Sequence, residues 1–478
     1  MKRLITTLSI MSSLLISCQQ SLTPDYPEST ALADEVITKS LSTGKVSPDD
    51  PIVFLPAIDV QAWTDILLLE DRFAASEVPA ARLAKMTTEA LVKSMMNYPL
   101  NYLIFVFNEP KSAIDLIVKN SSLHQEFLNR QDALDVFVEM YSRAQLDMSP
   151  DKSDFDGNYD SLSYTNAMFL DCFLGTKMIA NIERSSEKQR LGDVVKQKLE
   201  MRLTDIETFS LFSINPLLTI DHNAALGVVS DVQFRSSSYS VTTTYTPLGH
   251  LIEVLHIDEM TADEMEQITN DCIFHYPNAL VRGSSTCDYN CHSYAWIDST
   301  VENTYWLNAT SQSQEFQLSK FWVSDAYENC YEAEGKVVYY SQGDHSGVVL
   351  PNGKYLSKWG AGPLMEHDPT YCPYPPTNRQ YFRIRQSPLM SELTISGRTT
   401  VSINQRNTYS VSRYCPLLSY TWNIQSFNVN STTPYQLEVG GSYCILTCLD
   451  YGLYNTRAYG YYKGHHVATA QLDVYALP

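Results

Sequence analysis

The chain has 478 residues, with 34 Lys and Arg against 54 Asp and Glu and a formal net charge of −20. That balance argues against nucleic acid as a partner, because phosphate binding needs clustered Lys and Arg. The length allows two or three domains at roughly 150 residues each, and the 31 tyrosines suit either an extracellular binding surface or β-structure.

The N-terminus reads Met1-Lys2-Arg3, then an apolar run from Leu4 to Ile16, then Ser17-Cys18. A basic start, a short apolar core and a small residue before the cut predict a secretory signal. The run is too short to stay in a bilayer as a spanning helix. Leu15-Ile16-Ser17-Cys18 resembles a bacterial lipobox, which implies removal of residues 1–17 and diacylation of Cys18. Gln19 in the next position resembles the outer-membrane sorting pattern. The expected location is therefore the cell envelope, with the membrane a partner through the lipid on Cys18 at the outer membrane or cell surface. Residues 18–50, rich in Ser, Thr, Pro and Asp without apolar period, read as a tether.

Residues 51–215 carry apolar residues at three- and four-residue spacing, as in Thr88–Met96, Asp132–Tyr141 and the stretch from Leu191 to Phe212. This predicts an α-helical bundle without a catalytic constellation, acting as a spacer or docking module. From 216 to 387 the pattern is mixed α and β. Tyr239–Thr246 and Leu251–His256 read as strands about a Pro-Leu-Gly turn, and Thr261 caps an acidic helix start. From 388 to 478, strands recur between turns, as at Glu392–Ser396, Asn407–Val411 and Ser419–Ile424. Their rhythm resembles an immunoglobulin- or PKD-like sandwich with Trp422 in its core and Cys415 bridged to Cys444 or Cys448.

Ten cysteines in an exported chain favour disulfides. Setting aside Cys18 and Cys291 leaves Cys172, Cys272, Cys287, Cys330, Cys372, Cys415, Cys444 and Cys448, whose pairing the sequence cannot choose. No paired CxxC motifs or histidine cluster suggest zinc, so neither metal nor cofactor is expected. No carboxylate pair stands out as a glycosidase dyad.

The chemistry concentrates in Asn290-Cys291-His292-Ser293-Tyr294-Ala295-Trp296 and, downstream, Asp344-His345-Ser346-Gly347-Val348-Val349. Asn290 is a good N-cap, so Cys291 would enter a helix whose backbone N–H groups favour a thiolate and an oxyanion. Asn290 is itself a candidate oxyanion or substrate contact. A bland alternative makes Cys291 a half-cystine with Cys287. His345 would open a strand, and histidine is the general base such a thiol needs near neutral pH. His292, about 100° round the helix from the thiol, is assigned to packing or the rim. Asp344 should point to the face opposite His345, and His465-His466 reads as a solvated strand end.

These motifs, with Ser357-Lys358-Trp359-Gly360, resemble the secreted amidase-type proteins allied to the CHAP and NlpC-like cell-wall hydrolases, over about Thr246 to Arg385. The resemblance implies a papain-like α+β fold, with Cys291 as nucleophile and His345 as base, acting on a peptide or peptidoglycan-like substrate. The family's third catalytic residue is not matched plainly. A two-residue Asn352-Gly353 turn would put Lys358 on the His345 face, where an ammonium cannot accept from imidazole but could contact a substrate carboxylate. His367 is the expected orienter. The expected function is a surface-anchored cysteine amidase or peptidase. The alternatives are a non-enzymatic surface-binding lipoprotein with a silent papain-like domain, and an acyltransferase using the same thiol.

Overall fold

Helices dominate the described chain up to Met178, and antiparallel strands dominate it from Ser240 onward. The computed structural model describes residues 47–147, 159–178, 240–341, 344–376, 378–390, 393–411 and 415–478. The signal segment, Cys18, most of the tether and the expected helix from Leu191 to Phe212 lie outside the described residues, as does Glu392. No helix among the described residues is long and apolar enough to cross a membrane.

In the helical part, apolar spacing becomes burial. The Thr88–Met96 helix is capped by Thr87, whose side chain accepts from Ala90 N, and it buries Leu91, Val92, Met95 and Met96. Leu103–Val106 follows, buried along its whole length, and Pro110 then opens the helix to Asn120 where its missing N–H costs nothing. A short parallel pair, β1 (Gln145–Leu146) with β2 (Ser161–Leu162), precedes the Tyr164–Phe173 helix. Each large apolar side chain so buried contributes roughly 1.5–3 kcal/mol.

The hairpin of β3 (Ser240–Tyr245) and β4 (Leu251–His256) turns at Thr246–Gly249, as the Pro-Leu-Gly signal predicts. Thr261 and Glu264 form a reciprocal capping box on the Ala262–His275 helix. The central sheet consists of β5 (Leu280–Gly283), β6 (Tyr327–Cys330), β7 (Val337–Tyr340), β8 (His345–Val349), β9 (Tyr355–Lys358), β10 (Leu364–His367) and β11 (Arg379–Ile384). Its spatial order is β5-β10-β9-β8-β7-β11-β6, antiparallel throughout.

The remaining strands are β12 (Ile395–Ser396), β13 (Thr400–Ser402), β14 (Arg406–Val411), β15 (Ser419–Phe427), β16 (Tyr435–Gly440), β17 (Tyr443–Cys448), β18 (Gly452–Tyr462) and β19 (His465–Leu477). They form two four-stranded sheets, β12-β14-β17-β16 and β13-β19-β18-β15. Tyr409 and Leu446 of one sheet share a core with Trp422, Ala458 and Val467 of the other, and the same cluster runs on to Trp296 and Phe382 of the central part. Trp422 thus occupies the expected core position. The expected bridges are not formed among the described residues, where Cys415, Cys444 and Cys448 stand as thiols.

The helical part is clamped to the central sheet rather than spaced from it. Ala361 N donates to Phe105 O at 2.8 Å, and the Tyr374 hydroxyl donates to Val106 O at 2.5 Å. Gly360 makes this approach possible, with φ +52° and a Cβ position that would fall 2.5 Å from Phe105 O. Arg72 reaches His275 O at 2.7 Å, and the Trp63 indole N–H donates to His275 Nδ1 at 2.9 Å.

Candidate active site

Asn290 caps the Cys291–Trp296 helix, its Oδ1 accepting from Ser293 N at 3.0 Å and from Leu307 N at 3.2 Å. Its Nδ2 donates to Leu307 O at 2.7 Å. Oδ1 and one Nδ2 hydrogen are thereby engaged by Ser293 and Leu307, so Asn290 fixes the helix start.

The Cys291 thiol is 1 % exposed. Asn108, from the loop before the Pro110–Asn120 helix, brings Nδ2 to 3.3 Å from Cys291 Sγ and to 3.1 Å from Asp344 O. The same carbonyl lies 4.0 Å from the sulfur. A residue of the helical part therefore stands at the thiol, where a spacer or docking module without a catalytic constellation was expected. It lies 183 positions from the cysteine, and no sequence pattern links the two.

His292 also belongs to the site. Its Nε2 is 3.1 Å from Asp344 Oδ1 and its Nδ1 is 2.8 Å from Ser346 Oγ, which also accepts the Trp296 indole N–H at 3.0 Å. The Gln314 amide donates to the same Asp344 oxygen. Burial opposes charging this ring, but the adjacent Cys291 and the hydrogen-bonded Asp344 outweigh it and push the imidazole up to about 10. Gln314 Nε2 also lies 3.0 Å from His292 Nε2, so that ring nitrogen faces both a carboxylate oxygen and an amide N–H. Asp344 precedes β8 at φ +47° and reaches the same His292 ring as Ser346, on the side away from the His345–Tyr374 stack.

Alternation does govern β8. Ser346 faces the helix, while the His345 ring stacks on Tyr374 at 3.5 Å with an interplanar angle of 12°. His345 is 1 % exposed, and neither ring nitrogen has a hydrogen-bond partner. Burial, with His367 and His292 nearby, holds it well below the ordinary histidine range. It is a neutral imidazole close to the site but not hydrogen-bonded to the thiol.

Lys358 departs from expectation because the hairpin register differs by one residue. The connection from Leu350 to Lys354 pairs Val349 with Tyr355 and Val348 with Leu356, so Ser357, not Lys358, shares the His345 face. The Lys358 ammonium donates to Thr286 O at 2.9 Å, Gly360 O at 2.7 Å and Gly362 O at 2.5 Å. Its three donors are occupied, and burial pushes it down to about 8 against the opposing pull of Cys287 and Glu259. It ties loops together and does not offer itself to a substrate carboxylate. His367 does share the His345 face, but its Nε2 bonds Ser357 Oγ at 2.8 Å and its Nδ1 bonds Asp368 O at 2.8 Å. Burial pushes His367 down to about 4, and it orients Ser357 rather than His345.

Residues 280–374, which hold Cys291, His292, Asp344 and His345, are similar to a family described as a domain of unknown function (DUF7689). No curated protein matches the chain.

Proposed function

We propose that this protein is a surface-anchored, cysteine-dependent amidase or peptidase with a papain-like central domain, in which Cys291 attacks a peptide amide carbon. The observation carrying this reading is the convergence of a buried thiol, the Asn108 amide and a His292–Asp344 ion pair. An imidazolium beside a cysteine favours the thiolate, which is the nucleophilic form. Attack forms a C–S bond, the C–N bond breaks, and the leaving nitrogen departs with the proton that the thiol gave to an imidazole. Water then cleaves the thioester, returning acid and thiol.

Two imidazoles can hold the base role that the motif order assigned to His345. His292 is oriented by a carboxylate, the arrangement by which a third group fixes a catalytic histidine. His345 has the unspent nitrogens. Iodoacetamide labelling of the non-lipidated protein across pH, with peptide mapping, separates them in His292→Ala and His345→Ala. Loss of Cys291 labelling near pH 6 in His292→Ala alone supports His292 as the partner of the thiol, whereas loss in His345→Ala alone restores the expected dyad. A Cys291 that labels like an ordinary thiol in every variant favours a surface-binding protein with a silent central domain. The lipid anchor at Cys18 is tested separately, by metabolic acyl labelling of wild type against Cys18→Ala.

A further inference from the structure

Resting on the nucleophile reading of Cys291, we infer that Asn108 supplies the side-chain N–H donor for the oxyanion, so the helical part is a working portion of the active site. Asn108 is 4 % exposed. Its amide orientation is fixed by Asp344 O, which can only accept and therefore takes one Nδ2 hydrogen at 3.1 Å. The second Nδ2 hydrogen is left for Cys291 Sγ at 3.3 Å, and Oδ1 lies 3.6 Å from the same sulfur, where the thiol can donate to it. A buried primary amide that spends a donor on a neutral thiol gains little. It gains more when that donor meets a developing negative charge, because charge-assisted hydrogen bonds are about twice as strong as neutral ones.

The geometry fits that use. When sulfur bonds to a carbonyl carbon, the π pair moves to an oxygen one bond further on, within reach of a donor already in contact with the sulfur. The donor is also preorganised, which is what makes oxyanion stabilisation effective. Asn108 follows a segment pinned to the central domain at Phe105 O and Val106 O, and Pro110 opens the next helix two residues later. The amide therefore needs no movement to act.

The test compares two reactions of the same thiol in the full non-lipidated chain. Alkylation by iodoacetamide displaces iodide and forms no oxyanion. Acylation by p-nitrophenyl acetate forms the C–S bond through an oxyanion, and p-nitrophenolate leaves with the C–O electron pair, giving an acetyl thioester on Cys291. Asn108→Ala and the volume-keeping Asn108→Leu should alkylate within about twofold of wild type and acetylate about 100-fold more slowly, the usual cost of one oxyanion donor. Melting curves identify a variant that fails to fold, and the other variant then carries the test. Equal losses in both reactions make Asn108 a packing residue and overturn the inference, as do unchanged rates in both. If wild-type Cys291 reacts with neither probe, the nucleophile reading itself fails and this inference falls with it.

Discussion

Asp344 Oδ1 lies 3.1 Å from His292 Nε2, so the residue before the expected base pairs with the residue after the expected nucleophile. Burial opposes charge on the His292 ring, and Cys291 together with this carboxylate pushes it up to about 10. Asp344→Asn keeps the shape and removes the charge. It removes one of the two groups that hold the ring charged and should slow Cys291 alkylation at pH 6 by about tenfold, the factor of one pKa unit. The readout is the pseudo-first-order iodoacetamide rate. An unchanged rate would mean that the pair has no hold on the thiol.

Gly360 is the point at which the helical part and the central sheet meet backbone to backbone. A Cβ there would lie 2.5 Å from Phe105 O and 2.7 Å from Val106 C, on a residue with φ +52°. Gly360→Ala should cost more than the roughly 1–2 kcal/mol of a left-handed alanine, because the segment leading to Asn108 must also shift. Urea denaturation checks the stability loss. Acetylation of Cys291 by p-nitrophenyl acetate should fall with it, while the Gly353→Ala control, at φ +81° with nothing near its Cβ, should leave acetylation unchanged.

The local parts of this architecture were legible because local chemistry sets them. Asn290 before Cys291 reads as an N-cap and is one, and Thr261 with Glu264 reads as a helix start and forms the full box. The helix-to-strand switch follows from hydrophobic period, and Trp422 sits in the core where β-rhythm placed it. The site was only partly legible, for three physical reasons. A turn that takes in Pro351 as well as Asn352 and Gly353 slips the β8–β9 register by one and exchanges the faces of Ser357 and Lys358. The pairing of His292 with Asp344, 52 positions away, is written in neither motif, and without it His292 reads as packing or rim. Asn108 arrives from a different part of the fold, and contacts between distant segments leave no periodic trace in one sequence.

Lys358 shows what the register change makes of a lysine. Its ammonium is fully buried and donates to the carbonyls of Thr286, Gly360 and Gly362. Lys358→Met fills the volume and leaves those acceptors unpaired. Hydrogen bonds to a charged group contribute about 1.5–3 kcal/mol, and the buried ammonium offsets part of that by its own desolvation. A net loss on the order of 3 kcal/mol in urea denaturation is expected. A variant as stable as wild type would show that the desolvation cost cancels all three bonds.

Acid should weaken the fold through histidines buried as neutral rings. His124 lies among Tyr98, Phe169 and Phe173, with Nδ1 2.8 Å from Ser121 Oγ, and burial pushes it down to about 3. Its unfolded pKa is near 6.5, so between about 6.5 and 3 the unfolded chain binds the extra proton. The contribution of neutral His124 is therefore complete above about 6.5 and is lost as pH falls through that window, at up to about 1.4 kcal/mol per pH unit. His367, pushed down to about 4, adds a second loss of the same sign. The melting temperature should drop from pH 7 to pH 5, and His124→Phe should drop less, since its ring takes up no proton. At pH 5 the difference in acid-induced loss should be about 2 kcal/mol. Parallel pH profiles for wild type and His124→Phe would show that the ring is charged inside the fold, against its apolar surroundings.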